Sequence, residues 1–471
     1  MVDLVYLLVP GILGILALYL NKAANLRIRA SWISYAAMIA TVLIFVSGVI
    51  TGFSGFSLVI SRAIDFSILF ALNGISLPFL LLAVLLPILI FPSRRYDIPE
   101  ENTLFDTMFL LVYISLISMF MSSNLLGLFM FMEIALLSAF AMIFLWGNRN
   151  SFSSAMKFLI FTQISSMLIL TSFLMIFLYT GSFSLYAMQS ILRSMNPAYL
   201  IPIFSLVLIS ALIKFPVFPL HEWMPDAYFD SPTSITSMLS GLFSKLGGYV
   251  LLLFIVFLMP RTVSYFSTPV MVLAAVSAFY AAFVALSQRN LKMMFSYSSM
   301  LYMSVALLGM MSNNPIGIDG SIFLMVSYGF ISPMAFTLTG YLKSQTSTDD
   351  MSALGGLMRK LPLFSLFFVI AVFSSIGVPG FSNFIGEFLV FLGAFKYNPV
   401  FVAPILSLII ATAYYLYSIK RVLFERFTSA VKKLHDLDAA ETIQMGVFSS
   451  IIILLGVLPY IIINSINLGG I

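Results

Sequence analysis

Long apolar runs separated by short polar segments fill the chain from end to end. A helix needs about 20 mostly apolar residues to cross the hydrocarbon core. By that rule the pattern predicts fourteen spans, near residues 3–21, 31–52, 67–91, 104–122, 125–146, 157–180, 198–219, 233–258, 265–287, 291–311, 320–342, 362–395, 399–424 and 443–465. Two of them are interrupted. Pro216 and Pro219 break span 7, and GVPGFSNF (Gly377–Phe384) divides span 12, which is too long for one straight helix. Lipid tolerates such breaks only where the freed backbone groups line protein. The two broken spans lie five apart, so equivalent spans run in opposite directions, as in an inverted repeat of spans 4–8 and 9–13. The expected fold is therefore an all-α polytopic membrane protein. Its segments are an N-terminal three-helix part (1–103), a first five-helix repeat (104–258), a second (265–424) and a C-terminal helix (443–471). A short segment, Leu185–Met195, is expected along the membrane interface.

Composition agrees: 61% of the residues are hydrophobic and 9% charged, against roughly a quarter charged in soluble domains. Of the 23 lysines and arginines, seventeen fall in odd-numbered loops and four, Arg62, Arg193, Arg261 and Lys396, in even-numbered ones. Basic residues concentrate on the cytoplasmic side, which predicts cytoplasmic odd loops and both termini outside, in a cell membrane. The net charge of +5 thus reflects topology and points to no nucleic acid. The chain has no cysteine, which excludes disulfides, thiolate metal sites and cysteine-bound iron–sulfur clusters. No cofactor is expected, and any electron chemistry must sit on another chain. Asp3 stands before the first apolar run without a basic n-region, so no cleaved signal peptide is expected.

Four ionisable residues fall inside spans: Glu133, Lys214, Lys245 and Glu387. Charges at membrane depth are costly and normally face a partner or a water-filled cavity. Burial and a neighbouring opposite charge push a group's proton affinity in opposite directions, so a group held between them can change protonation when a nearby charge moves. That suits a proton relay; static ion pairs that fix helix contacts are the alternative. His221 in the loop HEWMPDAYFDSP (His221–Pro232) could take up protons or be a structural hydrogen-bonder. Asp226 and Asp230 are acidic where basic loops are favoured, and Trp223 could be an interfacial anchor. Lys292 could mark topology or proton uptake. Ser296, Tyr297, Ser298, Ser299, Tyr302, Tyr328 and Ser332 could order water through their hydroxyls or merely pack helices.

With these residues in view, the chain resembles the antiporter-like proton-translocating subunits of respiratory complex I, Mrp-type sodium/proton antiporters and membrane-bound hydrogenases. The block KFPVFPLHEWMPDAYFDSPTSITSMLSGLFSKLGGY, the stretch FMEIALLS and the segment GVPGFSNFIGEF carry the likeness, which covers about spans 4–13. It implies that Glu133 and Lys214 form a coupled ion pair, Lys245 the central relay and Glu387 the exit-side residue. The sequence departs from the family at Asn290, where aspartate is usual, and at Tyr302 and Tyr328, where histidines are common. Tyrosine can order water but cannot take up a proton near neutral pH as imidazole does. The resemblance also implies a subtype without the distal subunit's C-terminal lateral helix. It implies an ion-translocating subunit of a redox-driven complex, partnered by other membrane subunits and possibly a peripheral redox arm. The alternatives are a subunit of an Mrp-type antiporter without a redox partner, and a scaffold that no longer conducts.

Overall fold

The computed structural model describes residues 2–24, 28–61, 66–98, 100–148, 150–425 and 434–466. Arg27, Arg62, Arg149, Arg426, Lys432 and Lys433, counted above for topology, lie outside the described residues. Thirteen helices among the described residues are long and apolar enough to cross a membrane. The broken span 12 supplies the fourteenth crossing as two half-helices, Pro362–Ile376 and Ser382–Tyr397. Span 7 is likewise a helix, Pro197–Lys214, followed by turns and a second helix, Trp223–Asp230. Most of the segment expected as a loop at His221–Pro232 is thus helical.

Asparagines set where several spans begin. Asn102, Asn124, Asn196, Asn290 and Asn314 accept backbone N–H bonds at the starts of spans 4, 5, 7, 10 and 11, satisfying donors that a helix start leaves free. Span 8 (Thr233–Leu258) is begun by a remote acid, Asp97, which accepts from Thr233 N at 2.7 Å. Span 14 (Ala439–Val457) opens with a capping box of Asp438 and Glu441. The same two acids pair with Arg95 at the end of span 3, at 3.2 and 2.7 Å, and so join the last span to the N-terminal part.

Two expected boundaries move. Span 3 runs over Ser76–Tyr96, because residues Phe66–Phe70 form a strand paired antiparallel with Phe56–Ser61. An apolar strand and an apolar helix read alike in hydropathy, and Asn73 separates them by bonding the Ile75 N–H and the Ser76 hydroxyl. Span 6 begins at Ser151, so Lys157 lies within the helix instead of ahead of it. The interface segment is a helix, Leu185–Ser194, that buries Leu185, Met188 and Leu192.

The two five-span stretches carry matching hydrogen bonds. Leu125 N donates to Phe183 O and Leu185 N to Ser123 O; at the same spacing, Leu291 N donates to Asp349 O and Met351 N to Arg289 O. Thr180 and Thr346 each bond the carbonyl two residues on, at 3.0 and 2.8 Å, as spans 6 and 11 end. In this register Glu133 corresponds to Ser299 and Ser166 to Ser332. Spans 8, 10 (Leu291–Met311) and 11 (Pro315–Thr346) are buried along nearly their whole length, whereas spans 1 and 2 are about one-third buried. Lys245, Tyr302 and Tyr328 therefore sit on helices surrounded by protein.

Because Asn124 and Asn290 hold equivalent caps, Asn124→Ala and Asn290→Ala should each cost about 1 kcal/mol. Thermal unfolding of the purified protein in detergent checks this; a loss confined to one variant would break the correspondence.

Candidate ion-translocation site

Glu133 lies half-buried on span 5 (Leu125–Trp146). Its Oε1 accepts from the Ser166 hydroxyl and its Oε2 from Gln163 Nε2 at 2.9 Å. Lys214 ends the first half of span 7, and its Nζ donates to the same Ser166 Oγ at 2.9 Å and to Thr162 O at 3.2 Å. The carboxylate and the ammonium share one serine on span 6 and, among the described residues, form no direct ion pair. In the second stretch the equivalent contact is neutral: Ser299 Oγ and Ser332 Oγ lie 3.1 Å apart.

The break after Lys214 frees backbone carbonyls. Trp223 takes one, donating Nε1–H to Ile213 O at 2.8 Å. Its indole is 2% exposed, so it holds the break together and is not an interfacial anchor. Span 8 crosses at this point. A Cβ on Gly247 would stand 2.6 Å from Ala211 O and 2.9 Å from Phe215 N, so only glycine allows the helix bearing Lys245 to touch the broken backbone of span 7.

Lys245 is fully buried and has no carboxylate partner among the described residues. It follows a π-helical turn, Leu239–Phe243. Such turns interrupt the regular bonding of a helix and recur at functional sites. Lys245 Nζ donates to the Ser240 carbonyl within that turn and to Ser244 Oγ at 3.0 Å. Its ammonium stands 5.6 Å from the centre of the Tyr328 ring, within cation–π range.

From Tyr328 a series of contacts leads to Glu387. The rings of Tyr328 and Tyr302 stack with centroids 4.4 Å apart. The Tyr302 hydroxyl donates to the carbonyl of Ser375, in the last turn of the first half of span 12. Asn383 Nδ2 reaches the same carbonyl at 3.3 Å and Glu387 Oε1 at 2.7 Å. Glu387 itself is 8% exposed and lines an apolar cavity of about 420 Å³ with Phe384, Phe388 and Phe391. Gly377 has φ +77°, and a Cβ there would lie 2.5 Å from Glu387 Oε2. Glycine is needed both for the left-handed turn and for the space the carboxylate fills.

Of the hydroxyls singled out in the sequence, Ser298, Ser299, Tyr302, Tyr328 and Ser332 gather in this region. Ser298 meets Tyr328 OH at 3.2 Å and also bonds the hydroxyl of Tyr415. Ser296 instead bonds back to Lys292 O at 2.8 Å, and the Tyr297 ring lies beside His221. Sequence reasoning missed Ser166, Gln163, Ser375, Asn383, Tyr414 and Tyr415. The adjacent pair Tyr414–Tyr415 inside an apolar span was the one available signal.

The remaining candidates lie near the second half of span 7. Asp226 pairs with Lys157 at 2.6 Å on the surface. Lys292 donates to Phe229 O at 3.0 Å and Ser231 O at 2.6 Å. It thereby caps the carbonyl end of helix Trp223–Asp230, where a cation is favoured. His221 is buried among Phe218, Tyr280 and Tyr297, and its Nδ1 has no hydrogen-bond partner among the described residues. Burial pushes its pKa below the ordinary histidine value, with Glu222 opposing, so it is neutral near pH 7.

If the shared serine couples Glu133 to Lys214, Ser166→Ala should cut ion transport roughly tenfold, in line with a charged hydrogen bond worth about 1.5–3 kcal/mol. The equivalent Ser332→Ala should leave the rate within about twofold. Equal rates for both variants in reconstituted vesicles would remove Ser166 from the path.

Residues 122–412 match the family described as NADH:quinone oxidoreductase/Mrp antiporter, transmembrane. The NADH-quinone oxidoreductase subunit M of Rickettsia prowazekii is 33% identical over 405 residues, covering 84% of this chain and 81% of that protein. A chain of respiratory complex I from Thermus thermophilus superposes with a TM-score of 0.89 at 27% identity, covering 98% of this chain and 97% of that one. A chain of the Mrp complex from Dietzia sp. shares the fold, with a TM-score of 0.83 at 17% identity over 98% of this chain and 95% of that one. Family match, relatives and fold agree: this multi-pass membrane chain belongs to the NADH:quinone oxidoreductase/Mrp antiporter family.

Proposed function

We propose that the chain is an antiporter-like subunit of a redox-driven, multi-subunit membrane complex, and that it carries protons along the path from Glu133 to Glu387. The observation that supports this most is the placement of the four intramembrane charges: Glu133 and Lys214 share Ser166, span 8 brings Lys245 against the break of span 7 at Gly247, and ring and hydrogen-bond contacts lead from Lys245 to Glu387. Glu133, half-buried on span 5, senses charge in a neighbouring subunit. A change there alters the hold of Ser166 on Lys214, and the field of Lys214 then acts on Lys245 across the glycine contact at Gly247. Lys245 loses or gains its proton through water ordered by Tyr328, Tyr302 and Asn383, and Glu387 passes it outward. Like charges brought together disfavour the protonated form of each lysine, which gives the sequence a direction.

In this reading neutral His221, with an open Nδ1, accepts protons from the cytoplasmic side, while Asp226 and Lys292 hold the adjoining helix in place. The basic residues put both termini outside, in the cell membrane. The two five-span stretches act as the two halves of the conduit. Other membrane subunits are the partners and a peripheral arm supplies the redox chemistry, since no thiolate-bound centre can form on a chain without cysteine. The likeness to the Mrp fold supports a second reading, a cation/proton antiporter subunit without a redox partner.

Pumping by the reconstituted complex, with proton and sodium gradients followed separately, distinguishes these. Lys245→Ala should abolish proton movement while the complex still assembles. Unchanged pumping would make this chain a scaffold, and a sodium gradient without electron flow would favour the antiporter reading.

A further inference from the structure

A second polar site lies away from the charge path. Helix Leu185–Ser194, the start of span 7, the end of span 8 and the start of span 9 (Pro260–Ser287) enclose a cavity of about 400 Å³. Arg193 and Arg261 both line it. Both belong to the even-numbered side, which carries only four of the 23 basic residues, so their convergence is not a by-product of topology. The Arg193 guanidinium is fixed by donating Nε–H to Phe257 O at 2.9 Å and Nη2–H to Val256 O at 2.8 Å. Thr262, also in the lining, is fully buried, and its Oγ1 has no hydrogen-bond partner among the described residues. The site sits on the first turn of a 28-residue helix, whose N-terminal end favours anions. No described lining residue is acidic.

We propose that this cavity binds a phosphate group, that of an anionic phospholipid in the leaflet on the even-loop side. Arg261 suits phosphate because the planar fork of an arginine donates two parallel bonds, the carbonyl-held Arg193 adds positive charge beside it, and the orphaned Thr262 hydroxyl supplies a third donor. Leu200, Leu258 and Met259 give the cavity apolar lining as well. That lining accommodates acyl chain and favours a lipid over free phosphate.

The test is native mass spectrometry of the assembled complex, delipidated and then supplied with phosphatidylglycerol or phosphatidylethanolamine. Arg261→Gln should lower retained phosphatidylglycerol roughly fivefold or more, as expected for loss of a charge-assisted contact. Thr262→Val, which keeps the shape and loses the donor, should lower it about two- to threefold. Wild type should retain phosphatidylglycerol over phosphatidylethanolamine, whose ammonium offsets the same phosphate. Equal phosphatidylglycerol retention in all three proteins, or no preference of wild type between the two lipids, would overturn the site. Millimolar inorganic phosphate bound to wild type but not to Arg261→Gln, with no phosphatidylglycerol retained, would overturn the lipid and assign a free anion.

Discussion

An ammonium kept deep inside the protein, with no carboxylate beside it among the described residues, is the constraint around which this molecule is arranged. Isolated charges in a low-dielectric interior are so costly that they persist only when hydrogen-bonded or able to lose their charge. Lys245 is held by two hydrogen bonds and the face of the Tyr328 ring, the first of those bonds made by unusual means. Its helix widens into a π turn, which turns the Ser240 carbonyl to the ammonium. That solution demands a helix shielded from lipid, and span 8 is enclosed by others nearly throughout. It also demands close neighbours, which Gly247 permits on the side of span 7. The breaks of spans 7 and 12 free carbonyls that neutral side chains take, Trp223 at Ile213 O and Tyr302 and Asn383 at Ser375 O.

The two five-span stretches share their hydrogen-bonded ends but not their charges. Where the first places Glu133 against Ser166, the second places Ser299 against Ser332. The second stretch bears its acid elsewhere, on the far half of span 12, held by Asn383 and fitted against Gly377. Acids therefore stand at the two ends of the polar path and lysines between them. The two stretches thus share a backbone pattern and differ in the charges it carries.

Much of this was legible in the sequence because it rests on residues that are conspicuous in an apolar chain. The four charges, the prolines of span 7 and the glycines of span 12 all break a hydrophobic pattern, and each lies where that pattern placed it. Ser166 and Asn383 were not legible. A serine in a membrane helix usually bonds its own backbone, as Ser115 and Ser138 do here, and nothing in one sequence separates those from the serine that bridges two charges. Trp223 misled because tryptophan is common at the membrane surface, and only the tertiary fold reveals the carbonyl it serves. The paired strands Phe56–Ser61 and Phe66–Phe70 were hidden for a different reason: hydropathy registers that segments are apolar, not whether they are extended or coiled.

The matched backbone bonds that join the start of spans 5 and 10 to the chain leaving spans 6 and 11 have a consequence for how such a chain can vary. Immediately beyond them the first stretch inserts the helix Leu185–Ser194, while the second makes two short turns, Met351–Ala353 and Leu357–Arg359. The bonds act as a clasp ahead of that excursion. Length can be gained or lost outside the clasp while Glu133, Ser166 and their counterparts keep their depth, so the connector is free to drift and the charged interior is not.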